Sequence, residues 1–185
     1  LLLLYGMQAT PSSADRPKKA CVIGPECTGK TELSEFLAGH FQTVWVQEYA
    51  RAYLNRLGRP YEEHDLLKIA HGQWRMEQEW LHDASRVLIC DTNITVIKIW
   101  SEFKYGHCAR EILDMVARQQ YDLYLLTYVD LPWQDDPQRE HPTQREVLWN
   151  IYRAELSRGT TPVVEIRGER KERQQTAVKA ITSIL

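Results

Sequence analysis

The sequence predicts an α/β fold, a parallel sheet of about five strands with helices on both faces. Two observations carry that prediction. Short, continuously apolar runs alternate with segments of helical periodicity, the pattern of strands buried on both faces. A polar glycine loop joins the first apolar run to the first helical pattern. A chain of 185 residues suits one compact domain with a core and is short for two.

The stretch Gln8 to Lys19 is rich in Ser, Pro and small polar residues. Residues 1–19 are therefore expected to be a tail or linker, and 20–185 the domain. Ala20 to Ile23 reads as the first strand, ending at Gly24. In the helix after the loop, Leu33, Phe36 and Leu37 share one face. Thr43 to Val46 reads as a second strand, carried on through Gln47, Glu48, Tyr49 and Ala50 to Arg51. A long helix follows from Tyr61 to about Leu81, with Leu66, Leu67, Ile69, Ala70, Trp74 and Trp80 at helical intervals. Val87 to Cys90 is a third strand closed by Asp91, and helical spacing returns over Ala109 to Gln119. Leu123 to Leu126 and Pro162 to Ile166 complete the sheet. Between them, Thr143 and Glu146 predict a T-x-x-E capping box at a helix start, with Gly159 as its stop. Trp45, Trp74, Trp80 and Trp100 are expected in the core rather than against a ligand.

Composition narrows the function classes. Lys plus Arg total 23 against 25 Asp plus Glu, a net charge of -2 that argues against wrapping nucleic acid. The apolar start, Leu1 to Leu4, is far short of the roughly 18 residues of a membrane span. The cysteines Cys21, Cys27, Cys90 and Cys108 lack zinc-like spacing and do not suit a disulfide scaffold, which predicts a reducing cytosol.

Gly24-Pro25-Glu26-Cys27-Thr28-Gly29-Lys30-Thr31 matches G-x-x-x-x-G-K-[ST] in its required strand–loop–helix context, so the expected architecture is the P-loop NTPase fold. Amides of such a loop point inward at phosphate oxygens. Lys30 reaches the terminal phosphates, Thr31 ligates Mg²⁺, and the helix N-terminus faces the same anion. ATP and Mg²⁺ are the implied cofactors. Cys27 lies beside inward amides and Lys30, surroundings that favour a thiolate.

Ligands of open parallel sheets gather at the C-terminal ends of the strands. Two carboxylates are expected there. Asp91 closes an apolar run in the manner of a Walker B metal ligand, though a strand-terminal Asp serves equally as a helix N-cap. Glu48 is placed to bind an acceptor hydroxyl or take its proton, or simply to pair with Arg51. The segment Asp130 to Pro142 is too rich in Pro and Asp for core and reads as a lid, with Arg139 and Arg145 as candidates for the transferring phosphoryl group. A solvated loop with ordinary charges fits the same composition.

Four stretches in order resemble the nicotinamide riboside kinase domain of the NadR family: GPECTGKT (Gly24 to Thr31), EYAR (Glu48 to Arg51), DTNITVIKIWSEFKYG (Asp91 to Gly106) and DLPWQDDPQREHPTQRE (Asp130 to Glu146). The resemblance implies ATP-dependent phosphorylation of the 5′-hydroxyl of nicotinamide riboside to nicotinamide mononucleotide. It also implies acceptor contacts from Glu48, Tyr49, Arg51, Asp91 and Asn93. Asn93 stands where family members commonly carry a second Asp, and Cys27 replaces the usual Ser. No part of the family's adenylyltransferase or helix-turn-helix regions is recognised, so the kinase step alone is expected. The rival expectations are a kinase for another nucleoside or small alcohol, and an ATP-binding regulatory module without chemistry.

Overall fold

The structure is a computed structural model that describes residues 16–185; of the expected tail, 1–19, residues 1–15 lie outside the described residues. Five strands, β1 (Lys18–Ile23), β2 (Trp45–Val46), β3 (Val87–Asp91), β4 (Leu123–Thr127) and β5 (Val163–Ile166), form one parallel sheet in the order β2-β3-β1-β4-β5. Helices α1 (Lys30–Phe41), α2 (Tyr49–Leu57), α3 (Glu63–Leu81), α4 (Ile94–Tyr105), α5 (Arg110–Arg118), α6 (Arg145–Leu156) and α7 (Arg170–Thr182) connect and cover it.

Alternation along β1 divides the core between two faces. Ala20 and Val22 join Leu33 and Leu37 of α1 and Ala177 and Ile181 of α7. Cys21 and Ile23 point the other way, to Ile99 of α4 and to Trp149 and Tyr152 of α6. A third cluster packs α2 to α5 through Ala50, Leu66, Ile69, Ile94, Ile97 and Ile112. Each large aliphatic side chain buried this way contributes about 1.5–3 kcal/mol. The central position of β1 makes its C-terminal end, between β3 and β4, the switch point where such sheets open a crevice.

Several local expectations are corrected. β1 begins at Lys18, two residues early. β2 is only Trp45–Val46, because the Thr43 hydroxyl donates to the Val87 carbonyl (2.6 Å) from outside the ladder, and Tyr49 to Arg51 are helical. The box at Thr143 does not form. α6 starts at Arg145 with Gln144 as its cap residue, and Glu146 instead accepts the Tyr128 hydroxyl at 2.9 Å. That helix stops at Leu156, before Gly159. Reach-back bonds of the capping type occur elsewhere, from the Glu62 amide to Asp65 and from the Glu169 amide to Glu172, both 2.9 Å. Trp80 is 40% exposed rather than core.

The start of α2 is set by a close fit. The Tyr49 ring lies against Gly72 of α3, where an added Cβ would sit 2.1 Å from the ring, and the Tyr49 amide donates to Gln73 (2.9 Å). Gly72→Ala should cost about 1–3 kcal/mol through overpacking. In a domain of this size that lowers Tm by roughly 2–4 °C per kcal/mol. Gly39, helical in α1 with nothing within 4 Å of a Cβ, is the contrast. Its Ala variant should gain about 0.5–1 kcal/mol of stability. Thermal melts of the two variants should move in opposite directions.

Candidate active site

The chain leaves β1 into the glycine loop along a path that admits no side chain at its first position. Gly24 has φ +149°, and a Cβ there would lie 2.5 Å from the Thr127 hydroxyl oxygen and 2.8 Å from its carbonyl oxygen. Gly29 caps α1 in the left-handed region (φ +74°), and a methyl group added to it would meet Leu131 of the lid at 3.0 Å. Thr28 is buried; its hydroxyl donates to the Pro25 carbonyl (2.8 Å) and lies 2.7 Å from that of Thr127. Arg173, from the polar helix α7, is 5% exposed and pins the same loop from below. It donates to the carbonyls of Thr28 (2.9 Å), Gly168 (2.8 Å) and Tyr128 (3.0 Å), and to Asp130. Nothing in the sequence distinguishes Arg173 from a surface cation.

The loop forms one side of a cavity of about 480 Å³. Glu48 and Arg51 line it from α2, and Val96, Ile99, Trp100 and Phe103 from α4. Gln134, Gln138, Arg139, Glu140 and His141 cover it from the lid, and Leu148 and Tyr152 from α6. Trp100 packs against the third core cluster, as expected, and also walls the cavity. The α4 wall is hidden in the sequence because Ile94 to Ile99 reads as an apolar, β-branched run without clear helical period.

The two strand-end carboxylates occupy different environments. Asp91 is buried behind the loop, and its Oδ2 accepts the Thr31 hydroxyl at 2.6 Å. Its Oδ1 is buried without a hydrogen-bond partner. Burial first, then the nearby charge of Glu48, pushes the Asp91 carboxyl up to about 7, against the opposing pull of Lys30, Thr31 and Arg51. Glu48 is half-buried, begins α2 as its N-cap residue and faces the cavity directly. Lys30 donates to the Pro25 carbonyl at 2.7 Å.

An orphaned carboxylate oxygen beside a threonine hydroxyl is a donor set that fits Mg²⁺. Among the described residues no three His, Cys, Asp or Glu side chains gather into a metal cage. An ion held by Asp91 and Thr31 would complete its shell with phosphate oxygens and water, the usual habit of Mg²⁺.

Three expected contacts are placed elsewhere. Asn93 is fully buried; its side chain caps α4 by accepting the Thr95 amide (3.0 Å) and does not line the cavity. The capping role open to Asp91 falls to Asn93, two residues on. Tyr49 points its ring at Gly72. Arg145 donates to the carbonyls of Leu131 (2.9 Å) and Cys27 (3.3 Å) under the Trp133 ring, joining lid to loop from outside the cavity lining. Arg139 does line the cavity, donating to the Gln134 carbonyl and to the Cys27 sulfur (3.4 Å). Cys27 also donates to the Pro132 carbonyl (3.3 Å) and accepts the Gln134 amide (3.2 Å). The lid reaches α2 as well, through Arg51–Asp136 (2.9 Å) and Gln138–Asn55 (2.6 Å).

A family model described as an AAA domain, AAA_28, matches residues 19–173. The chain belongs to that family. The solved structures similar to this AAA-family chain include a NadR protein in complex with NR, at TM-score 0.76 and 19% identity, covering 91% of this chain and 51% of that one. A NadR protein in complex with NAD and AMP-PNP matches at TM-score 0.73 and 19% identity, covering 91% and 49%. A thymidylate kinase from Candida albicans matches at TM-score 0.65 and 12% identity, covering 91% and 92%. The chain thus spans about half the length of the NadR chains it matches. These likenesses establish the P-loop fold. Among the described residues no helix is long and apolar enough to cross a membrane.

The raised Asp91 carboxyl makes a signed prediction. Folded protein keeps this proton up to about pH 7, while the unfolded chain loses it near 3.8. Stability from this group therefore declines as pH rises from about 4 to about 7. Asp91→Asn cannot ionise, so in metal-free buffer its Tm relative to the parent should be higher at pH 8 than at pH 5. Magnesium should raise the parent's Tm at pH 8 and leave the variant's unchanged; paired melts with and without the ion check both.

Proposed function

We propose that the chain is an ATP-dependent kinase that phosphorylates the 5′-hydroxyl of a nucleoside, with nicotinamide riboside as acceptor and nicotinamide mononucleotide as product. The observation that carries this reading is the division between the carboxylates: Asp91 is buried against Thr31, while Glu48 opens onto the cavity that the glycine loop lines. A nucleotide switch needs the first of these and has no use for the second.

In this reading the loop amides and Lys30 would hold the ATP phosphates, and Thr31 and Asp91 would hold Mg²⁺, which would supply neutralisation of the phosphate charge. Glu48 orients the acceptor hydroxyl and takes its proton. The hydroxyl oxygen bonds to the γ-phosphorus as the bond to the ADP oxygen breaks. Arg139, on the lid, stabilises the charge that spreads over the transferred group. Acceptor contacts beyond Glu48 fall to Arg51 and the aromatic wall rather than to Tyr49 and Asn93. Aromatic faces at Trp100, Phe103 and Tyr152, with the Glu48 carboxylate on the same cavity, suit a cationic ring such as pyridinium. The NadR protein whose structure contains NR supports the same acceptor. A reducing cytosolic setting, with the four cysteines free, belongs to this reading.

The test is a coupled ADP-release screen across nucleosides and small alcohols, in which nicotinamide riboside should give the highest kcat/KM. A higher value for another nucleoside overturns the acceptor, and no turnover with any of them overturns the kinase. Glu48→Gln should lower kcat about 10²–10⁴-fold with an unchanged Mg²⁺ requirement. Asp91→Asn should raise that requirement, with partial rescue by Mn²⁺. A metal-rescued Glu48→Gln beside an unrescued Asp91→Asn would exchange the two roles.

A further inference from the structure

Tyr61, which precedes α3 and does not itself line the cavity, gathers groups from two sides of it. Its hydroxyl accepts from the Trp100 indole Nε1 at 2.9 Å and from Lys104, and donates to the Glu140 carboxylate at 2.6 Å. One O–H and two lone pairs are thereby all used. The rings of Tyr61 and Trp100 meet edge to face at 4.8 Å, so the indole is held both by its edge and by its N–H. Lys104 lies over the Tyr61 ring (3.9 Å) and pairs with Glu140 (3.1 Å).

Glu140 is tied down on its other side too. Its backbone amide, at 3.1 Å, and that of His141, at 3.0 Å, donate to the Glu26 carboxylate in the glycine loop. Glu26 therefore spends its charge on the lid rather than on a bound phosphate, where a carboxylate would be repelled. His141 packs edge to face on Phe103 (5.0 Å), next along the wall that Trp100 begins. A continuous set of contacts thus runs from the acceptor wall through Tyr61 to the lid, and through Glu140 to the loop.

Resting on the kinase reading of the site, we infer that Tyr61 is a positioning residue that couples the acceptor wall to the lid. Its hydroxyl sets the Trp100 face and fixes Glu140 in the same act, so the lid seats over the loop when the acceptor wall is in place. It touches neither substrate. The coupling keeps water from the γ-phosphate during transfer to the acceptor.

Tyr61→Phe keeps the ring and removes only the hydroxyl; Glu140→Ala breaks the same contact from the exposed lid, where folding is not at stake. Both should raise the acceptor KM roughly tenfold, the loss of a charge-assisted hydrogen bond, with the ATP KM within about twofold of the parent. Both should also release more ADP than phosphorylated acceptor, where the parent releases them one for one. The double variant should lose clearly less than the product of the two single penalties, because both changes cut the contact between Tyr61 and Glu140. Trypsin, which cleaves after Arg139, should cut the lid of Tyr61→Phe, whose cleavage sequence is unchanged, at least about threefold faster than the parent's. An unchanged acceptor KM, a parallel rise in both KM values, or multiplying penalties in the double variant would overturn the coupling. If the parent phosphorylates no acceptor, the kinase reading fails by itself. Proteolysis then decides the contact: faster cutting of Tyr61→Phe upholds the link from Tyr61 to the lid, and the parental rate removes it.

Discussion

A backbone contact fixes the geometry of everything else: the glycine loop passes so close to the end of β4 that Gly24 has no room for a methyl group against Thr127. That approach orients the next residues, and two sets of bonds and one backbone turn then hold them. The Thr28 hydroxyl turns inward to Pro25 and Thr127, Arg173 grips the Thr28 carbonyl, and Gly29 starts α1 from the left-handed region. Most of these groups are buried, where an unmade hydrogen bond costs about 1–3 kcal/mol. The loop is therefore a rigid cradle before any anion arrives, and binding need not supply the ordering.

With the cradle fixed, burial sorts the two carboxylates. Asp91 ends β3, whose register puts Asp91 beside Val22 of β1, one position before the loop's own strand ends. It is thus locked beneath the loop, where desolvation disfavours its charge until a cation compensates. Glu48 lies one strand farther out, where β2 has already ended and α2 begins, and the chain opens it to the cavity. Strand order does this sorting. The central strand carries the glycine loop, its neighbour the buried carboxylate, and the edge strand the open one.

The pieces legible in the sequence are those with a local physical signature. The loop spacing, the apolar strands and the carboxylates at their ends each follow from chemistry within a few residues. The illegible pieces depend on distant partners. Arg173 in a polar helix carries no mark of the carbonyls it will grip, and Asn93 reads as an acceptor contact because nothing local says that α4 begins beside it. The EYAR stretch misleads in two ways. Its apolar and aromatic run continues the strand pattern, although Tyr49 is helical, and its tyrosine turns to Gly72 rather than to a ligand. Thr143 and Glu146 have the spacing of a capping box, but the Tyr128 hydroxyl, delivered by β4, takes the glutamate.

Loop and lid differ in what holds them, and the difference matters to any reaction in the cavity. The cradle rests on buried bonds to carbonyls. The lid's charged contacts are still open to water: the pair of Arg51 with Asp136 has side chains 45% and 22% exposed, and that of Lys104 with Glu140 32% and 37%. Exposed pairs contribute about 0–1 kcal/mol each, and salt weakens them. They hold the segment more weakly than the buried bonds hold the loop. In the proposed kinase, which admits two substrates and releases two products, that asymmetry serves turnover. The glycine loop is anchored through the core, while the contacts that hold the lid lie largely outside it.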